Sequence, residues 1–426
     1  MNRLKALHVV HDSPRISSGC GGTEQYVDAL ADATGDPVLT RQQSGNGELI
    51  KKEGGYPLWV FCEAPPKRPR FRDTYAVPGM EAALSKVIEE TEVDVVHLHH
   101  FAHIGFGAAE QAARQKIPVV FHLHDYHSIC VRGQLVERNM ERCSGPEESR
   151  CATCVLEHLR ARPSLHFLGQ IAGGLGFRSH ARNWIAKGQP NANDIAEIQG
   201  RFEASKNAFA HIDRCLSPSQ HLAQKMVELG WIASDSIHVM DLPLLEPMKT
   251  PQKRREGGFR ILFVGSLIPT KGPQILLEAC KELDAEVYFY GPTPTFDGHP
   301  GWGEKLIARI QQQDNAFYGG VFSSIERERI YGEADLLALP SIWEENSPLV
   351  LREGLASGLP VVASAVGGMS ELAPDAHFVK PDCVTSLREA LKEIVQQGRH
   401  RNPPKHWDMH QHQEQLQTHY QDIQKR

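Results

Sequence analysis

Nearly continuous apolar runs alternate with helical patterns along most of this 426-residue chain, and that alternation narrows its fold more than any other feature. In the first half, runs rich in Val and Leu lie at 4–12, 58–64, 94–100, 118–125 and 211–219. Helical patterns fall between them, such as TEQYVDALADAT (23–34) and MEAALSKVIEE (80–90). A strand that is apolar on both faces has to be covered on both, as in a parallel sheet flanked by helices. The second half repeats the scheme, with strands at 259–267, 285–292, 335–342 at most and 360–368, and helices at 273–283 and 347–357. The stretch 241–258, rich in Pro and charge, reads as a linker. The expectation is an α/β protein with two doubly wound domains, 1–240 and 259–400, facing across a cleft. A polar tail, 401–426, is expected to pack back on the first domain as a helix. Ligands of such sheets bind beyond the carboxyl ends of the strands, which points to the cleft.

Composition removes several function classes. Apolar residues make up 41% and charged residues 23%, the balance of a soluble globular protein. A net charge of −6 argues against a general nucleic-acid binder, which needs excess Lys and Arg. No apolar run reaches the roughly 18 residues of a membrane span. The opening MNRLKALHVVHDSPRIS has a short apolar run that reads as a first strand rather than a signal peptide. These features imply a cytoplasmic protein, peripheral if it meets the inner face of a membrane. The segment 155–200 is basic and carries Phe, Leu and Trp. It is either an ordinary helical insertion or a surface for anionic lipid or a lipid-linked acceptor, with KRPRFR (67–72) adding charge.

The most informative stretch is PSIWEENSPLVLREGLASGLPVVASAVGGMSEL (340–372). Ser347 suits an N-cap, Pro348 the first helical position and Gly358 a helix stop, predicting a short helix over 347–357. Its first-turn N–H groups and positive dipole end suit a phosphate. Glu345 sits just before the helix and Glu353 about two turns further on. Carboxylates so spaced reach different hydroxyls of one elongated ligand, such as a sugar nucleotide.

The pattern Glu, seven residues, Glu, then SGLPVVASAVGG and Glu371, resembles the donor site of the retaining glycosyltransferases of family 4 (glycosyl transferases group 1). The resemblance implies the GT-B fold of two Rossmann-like domains, in which the first Glu approaches the donor sugar and the second binds ribose hydroxyls. By position these are Glu345 and Glu353, with Asn346, Ser347, Pro348, Leu349 and Val350 at the diphosphate. FVGSLIPTKG (263–272) is similar to a second family motif, and places Lys271 before a helix where it meets phosphate oxygens. Many members carry Arg directly after the first glycine; this chain has Ser266, which shifts the charge onto Lys271. SSGCGGTEQYVDAL (17–30) resembles the family's glycine turn, with Gly19, Gly21 and Gly22 permitting close backbone approaches.

HLHHFAH (97–103) and HLHDYH (122–127) gather histidines at two strand ends. A metal site is one reading. The resemblance implies chemistry without a catalytic metal, and a histidine near the donor sugar and acceptor at the position of His124, beside Asp125. His99, His100 and Asp125 are then assigned to the acceptor side, and His97 and His122 to packing. Of nine cysteines, four are clustered as Cys130-x12-Cys143-x7-Cys151-x2-Cys154. The close pair Cys151/Cys154 is typical of half a tetrahedral thiolate site. A subset of the family shows the same arrangement, which implies a structural zinc stapling the loop 126–156. An iron–sulfur cluster and four free thiols are the alternatives.

The expected function is transfer of a hexose-type sugar from a UDP- or GDP-sugar to a glycan, lipid-linked or other acceptor, with retention of anomeric configuration, in polysaccharide or glycoconjugate biosynthesis. His124, Glu345 and Lys271 are the catalytic candidates. The rivals are a sugar-nucleotide epimerase on the same fold and a non-catalytic sugar-nucleotide-binding protein.

Overall fold

Two sheets organise the chain. A computed structural model describes residues 3–17, 19–67, 69–160, 188–248, 257–296 and 299–425. The first sheet comprises β1 (Ala6–Val9), β2 (Val38–Gln42), β3 (Asn46–Lys52), β4 (Leu58–Glu63), β5 (Val95–Leu98), β6 (Val119–His122), β7 (Arg214–Ser217) and β8 (Ile237–Val239). Their order is β3-β4-β2-β1-β5-β6-β7-β8. Every pairing is parallel except that of β3 with β4. The second sheet comprises β9 (Phe259–Val264), β10 (Ala285–Tyr290), β11 (Ala316–Gly320), β12 (Leu336–Leu339), β13 (Val361–Ser364) and β14 (His377–Val379). It is fully parallel in the order β11-β10-β9-β12-β13-β14. In both sheets the chain winds outward from a central strand in two directions, the doubly wound arrangement.

The strand-like runs of the sequence hold β1, β4, β5, β6 and β7 in the first sheet and β9, β10, β12 and β13 in the second. Of the strands that the runs miss, β3, β8, β11 and β14 are sheet edges, whereas β2 is interior, between β4 and β1. NGELIKK of β3 is mostly exposed and carries two lysines, the way edge strands resist further pairing. β8 and β14 have three residues each, too few for any pattern.

Buried apolar layers lie on both faces of the first sheet, one built around Val96, Leu98 and Phe121, the other around Ala6, Val95 and Val120. The helix Met409–Gln424 completes the second of these layers with Leu416, Tyr420 and Ile423. Gln417 on that helix exchanges both of its amide hydrogen bonds with the backbone of Leu4, at 2.8 and 3.0 Å. None of the described helices is long and apolar enough to cross a membrane. The expected lipid-facing stretch falls largely on 161–187, outside the described residues. Phe71, from the basic run 67–72, is buried with Ala152, Val155 and Ile198.

Candidate functional site

The segment that follows β12 turns sharply under the glycines that follow β13. The N–H of Gly368 donates to Glu345 O at 2.7 Å. Gly367 sits at φ +59°, and a Cβ there would lie 1.9 Å from Glu345 O. Only glycine permits that approach, so the glycines set the path of the backbone carrying Glu345.

The helix beyond begins at Leu349, with Pro348 as its N-cap, rather than at Ser347. Ser347 does not cap because its hydroxyl accepts from the guanidinium of Arg352, which is fully buried and also paired with Asp241. With no side-chain cap, the first-turn N–H groups of this helix remain available to a ligand.

Glu345 is buried, and one of its oxygens, Oε1, takes three hydrogen bonds: Lys271 Nζ at 2.6 Å, Ser341 Oγ at 2.8 Å and Trp343 Nε1 at 2.8 Å. Lys271 also lies over the Trp343 ring, 5.1 Å from its centroid. The two residues expected to act on sugar and phosphate are therefore each other's partners here. Glu353 accepts from Tyr331 Oη at 2.5 Å and Arg327 Nη1 at 3.1 Å. Burial lifts its carboxyl above the usual range, although Tyr331 and Arg327 pull the other way. Ser266 is half-buried in the turn after β9.

From the first domain, the helix Gly22–Thr34 starts at the glycine turn, with Gly21 as N-cap. A Cβ on Gly22 would stand 3.3 Å from Cδ1 of Leu349, so the N-termini of two helices meet across the cleft. Asn346 spans the same cleft, donating from Nδ2 to the His124 carbonyl at 2.9 Å.

His124 is half-buried, and its ring Nε2 lies 3.3 Å from His99 Nδ1. Burial pushes the His124 pKa down to about 3, so its ring is neutral. His99 is fully buried behind it and contacts His8, 3.0 Å away. It reaches the cleft only through His124, not as the direct acceptor-side group the sequence suggested. His100 accepts the Ala102 N–H on Nδ1 at 2.8 Å, which leaves Nε2–H to donate to Asp125 at 2.9 Å. Against the cost of burial, His100 and the His127 N–H hold the Asp125 carboxyl well below its usual range.

Sequence reasoning missed two carboxylates. Glu24 holds the Gly21 N–H at 2.7 Å and His11 at 2.6 Å, and despite burial its pKa is brought down to about 2 by His11. Only its place three residues after the N-cap signals this role. Glu344 meets His221 at 3.0 Å, Lys225 at 3.2 Å and Tyr126 Oη at 3.3 Å, all from the first domain. Against burial, His221 and Lys225 hold its pKa at about 2. Glu371 adds a second clasp, accepting the N–H groups of Gln220 and His221 at 2.6 and 2.7 Å. Between these clasps and the segment 405–407 lies a cavity of about 450 Å³, bordered by Asn346, Ser347 and Trp407.

The four clustered cysteines are unpaired and half-buried. Cys151 and Cys154 share the helix Glu148–Cys154, which Glu147 caps. Burial first, then the other three thiols, push Cys151 up to about 12. Among the described residues, the potential ligand groups with donor atoms within 4.8 Å of one another are made of histidines, not these cysteines. A tetrahedral site, with sulfur–metal bonds of about 2.3 Å, needs the sulfurs drawn closer than this.

Comparison with known proteins finds two families. The description "Glycosyl transferases group 1" matches residues 246–407, and "Glycosyltransferase Family 4" matches residues 20–144. A D-inositol 3-phosphate glycosyltransferase of Xylanimonas cellulosilytica is 31% identical over 43% of this chain and 48% of its own length. One from an Arthrobacter species is 24% identical over 86% of this chain and 80% of its own length. The chain thus spans about half the length of the first of these relatives. The solved structure of Anabaena HepE in complex with UDP and glucose superposes with a TM-score of 0.61 at 15% identity, covering 98% of this chain and 99% of that one.

Proposed function

We propose that this chain, which matches the group 1 glycosyltransferases over 246–407 and family 4 over 20–144 and has the two-sheet fold of their GT-B type, moves a hexose-type sugar from a nucleoside diphosphate to a glycan or lipid-linked acceptor, with retention of anomeric configuration. The observation that carries this reading is the meeting of two helix N-termini at Gly22 and Leu349, with Lys271 bound to Glu345 four residues before the second of them. Two positive dipole ends turned toward one space favour an anion there, and a diphosphate is the anion a sugar donor brings. The main task of the reaction is to stabilise the negative charge on the departing diphosphate. The N–H groups at Gly22, Leu349 and Val350 do this, with Gly21, Ser266, Asn346, Ser347 and Pro348 shaping the groove. When diphosphate enters, Lys271 exchanges part of its hold on Glu345 for phosphate oxygens. Glu345 then turns its freed capacity to sugar hydroxyls, and Glu353 to the ribose. His124, being neutral, positions sugar or acceptor by hydrogen bonding rather than by charge. His100 and Asp125 border the acceptor.

The Anabaena relative solved with UDP and glucose supports a UDP-sugar ahead of a GDP-sugar. Polysaccharide or glycoconjugate synthesis in the cytoplasm, at the inner membrane face, fits such an acceptor. Structural zinc on Cys130, Cys143, Cys151 and Cys154 is part of the same reading. Its support is four unpaired thiols within residues 130–154, two on the loop and two on the helix that follows it.

A panel of UDP-, GDP- and ADP-sugars tested for thermal stabilisation identifies the donor, since binding raises apparent stability. Glu345→Ala and Lys271→Ala are each expected to abolish transfer while the chain stays folded. Full activity in either variant overturns the assignment.

A further inference from the structure

The face of the first sheet beneath the helices Gly22–Thr34 and Met409–Gln424 holds a layer of histidines. His8 and His97 are register partners on β1 and β5. Strand alternation puts His99, beyond His97, and the pair His122 and His124 at the neighbouring strand end. His8, His97, His99 and His122 are buried, and His124 is half-buried.

Donor nitrogens of His99, His122 and His124 all lie within 4.8 Å of one another. The His99 Nδ1 to His124 Nε2 separation is 3.3 Å. Two imidazoles bound to one tetrahedral metal, at bond lengths of about 2.0–2.1 Å, stand roughly 3.3–3.4 Å apart. An independent observation comes from His122. It is fully buried, yet neither of its ring nitrogens has a hydrogen-bond partner among the described residues. A neutral imidazole carries one N–H and one lone pair, and leaving such groups unmet in a dry interior is costly. The far nitrogen of His99 is held in turn: Nε2 lies 3.0 Å from His8 Nδ1, and His8 Nε2 lies 3.8 Å from Asp36. A histidine hydrogen-bonded behind a ligating ring is the kind of outer support that fixes it, and the Asp36 carboxylate lies further back without a hydrogen bond to His8.

We propose that His99, His122 and His124 bind a divalent transition metal of imidazole preference, Zn²⁺, Ni²⁺ or Co²⁺, which ties the ends of β5 and β6 together beneath the cleft. The metal's role is structural: His124 ligates through Nε2, the atom facing His99, and keeps Nδ1 for the sugar or acceptor. The site is separate from the cysteine loop, and it does not depend on the donor reading.

The full chain, stripped with chelator and reloaded with Co²⁺, distinguishes the two metal locations. An imidazole site gives ligand-field absorption without the sulfur-to-cobalt charge transfer that a thiolate site adds. Metal content is measured alongside in wild type, His122→Phe and Cys154→Ser. The expected result is one nitrogen-ligated equivalent in wild type and in Cys154→Ser, missing from His122→Phe. Metal should raise the melting temperature of the stripped wild type, and do so less in His122→Phe. If His122→Phe fails to fold, His124→Gln replaces it, and is expected to bind at least tenfold more weakly. Equal metal content in wild type and the histidine variant, or absorption arising wholly from sulfur ligation, overturns the proposal.

Discussion

The carboxyl ends of the two sheets carry opposite kinds of polar chemistry. Beyond the second sheet, opposite charges pair at close range: Lys271 with Glu345 at 2.6 Å and Arg327 with Glu353 at 3.1 Å. At the first, two such pairs occur, His11 with Glu24 at 2.6 Å and His100 with Asp125 at 2.9 Å, but behind them lies a buried layer of rings on rings, with His97 and His99 centroids 4.1 Å apart and those of His122 and His124 4.7 Å apart. Burial holds His97, His99 and His122 far below the usual histidine pKa, so this layer is neutral. Paired ions can trade partners when an anionic ligand arrives. A neutral layer cannot respond to charge in that way and acts through shape, and through ligation if it binds the metal proposed for it. The second domain is thus built to exchange, the first to hold.

The sharpest way to break this contrast is Gly367→Ala. A Cβ at φ +59° and 1.9 Å from the Glu345 carbonyl forces the donor segment to move. We expect complete loss of nucleotide-sugar stabilisation in a thermal assay and a fall in stability of about 1–3 kcal/mol from backbone strain alone. The histidine layer should be untouched, so the metal content of that layer should stay at the wild-type value. Normal donor binding in this variant would mean that the exchange site lies elsewhere.

Acid is the next lever, because it acts on the clasp between the domains. Glu344 titrates at about 2 in the folded chain, against about 4.3 in an unfolded one. Its stabilising contribution is therefore complete above the ordinary carboxylate pKa and disappears as pH falls from about 4.3 towards 2. The contribution is on the order of 3 kcal/mol at most, at 1.36 kcal/mol per unit. Glu344→Gln should flatten this part of the acid unfolding curve, as followed by fluorescence. An unchanged curve would remove Glu344 as a clasp.

Tyr420→Phe has the smallest expected effect. It deletes the hydroxyl 2.6 Å from His97 Nδ1 in the buried layer. A loss of about 1–2 kcal/mol in denaturant unfolding is expected, with donor binding unchanged. Altered donor affinity would show that the two regions are coupled more tightly than their chemistry suggests.

The donor segment was legible because it is contiguous: Glu345, Ser347, Pro348 and Glu353 lie within nine residues, and strand, turn and helix follow in order. The helix start was read two residues early because Ser347 answers to Arg352 and, through it, to Asp241 in the connecting stretch. No local pattern encodes that. The strand runs of both halves were visible as apolar stretches, while β3 is polar enough to hide at an edge. Glu344 was invisible for the same reason as Arg352, since its partners arrive from distant parts of the chain, whereas Glu24 had a local signal in its place three residues after Gly21. Histidine alternation was legible, but not depth. His99 was assigned toward the acceptor, whereas the layer under the final helix encloses it completely.

That final helix also constrains how the protein can be made. Leu416, Tyr420 and Ile423 belong to the same buried layer as Ala6, Val27 and Leu30. On a ribosome, the second sheet is complete once residue 379 has emerged, but the first still lacks part of its interior. The domain synthesised first is therefore the one finished last, and any arrest or clipping before the final helix leaves an open hydrophobic face on an otherwise assembled protein.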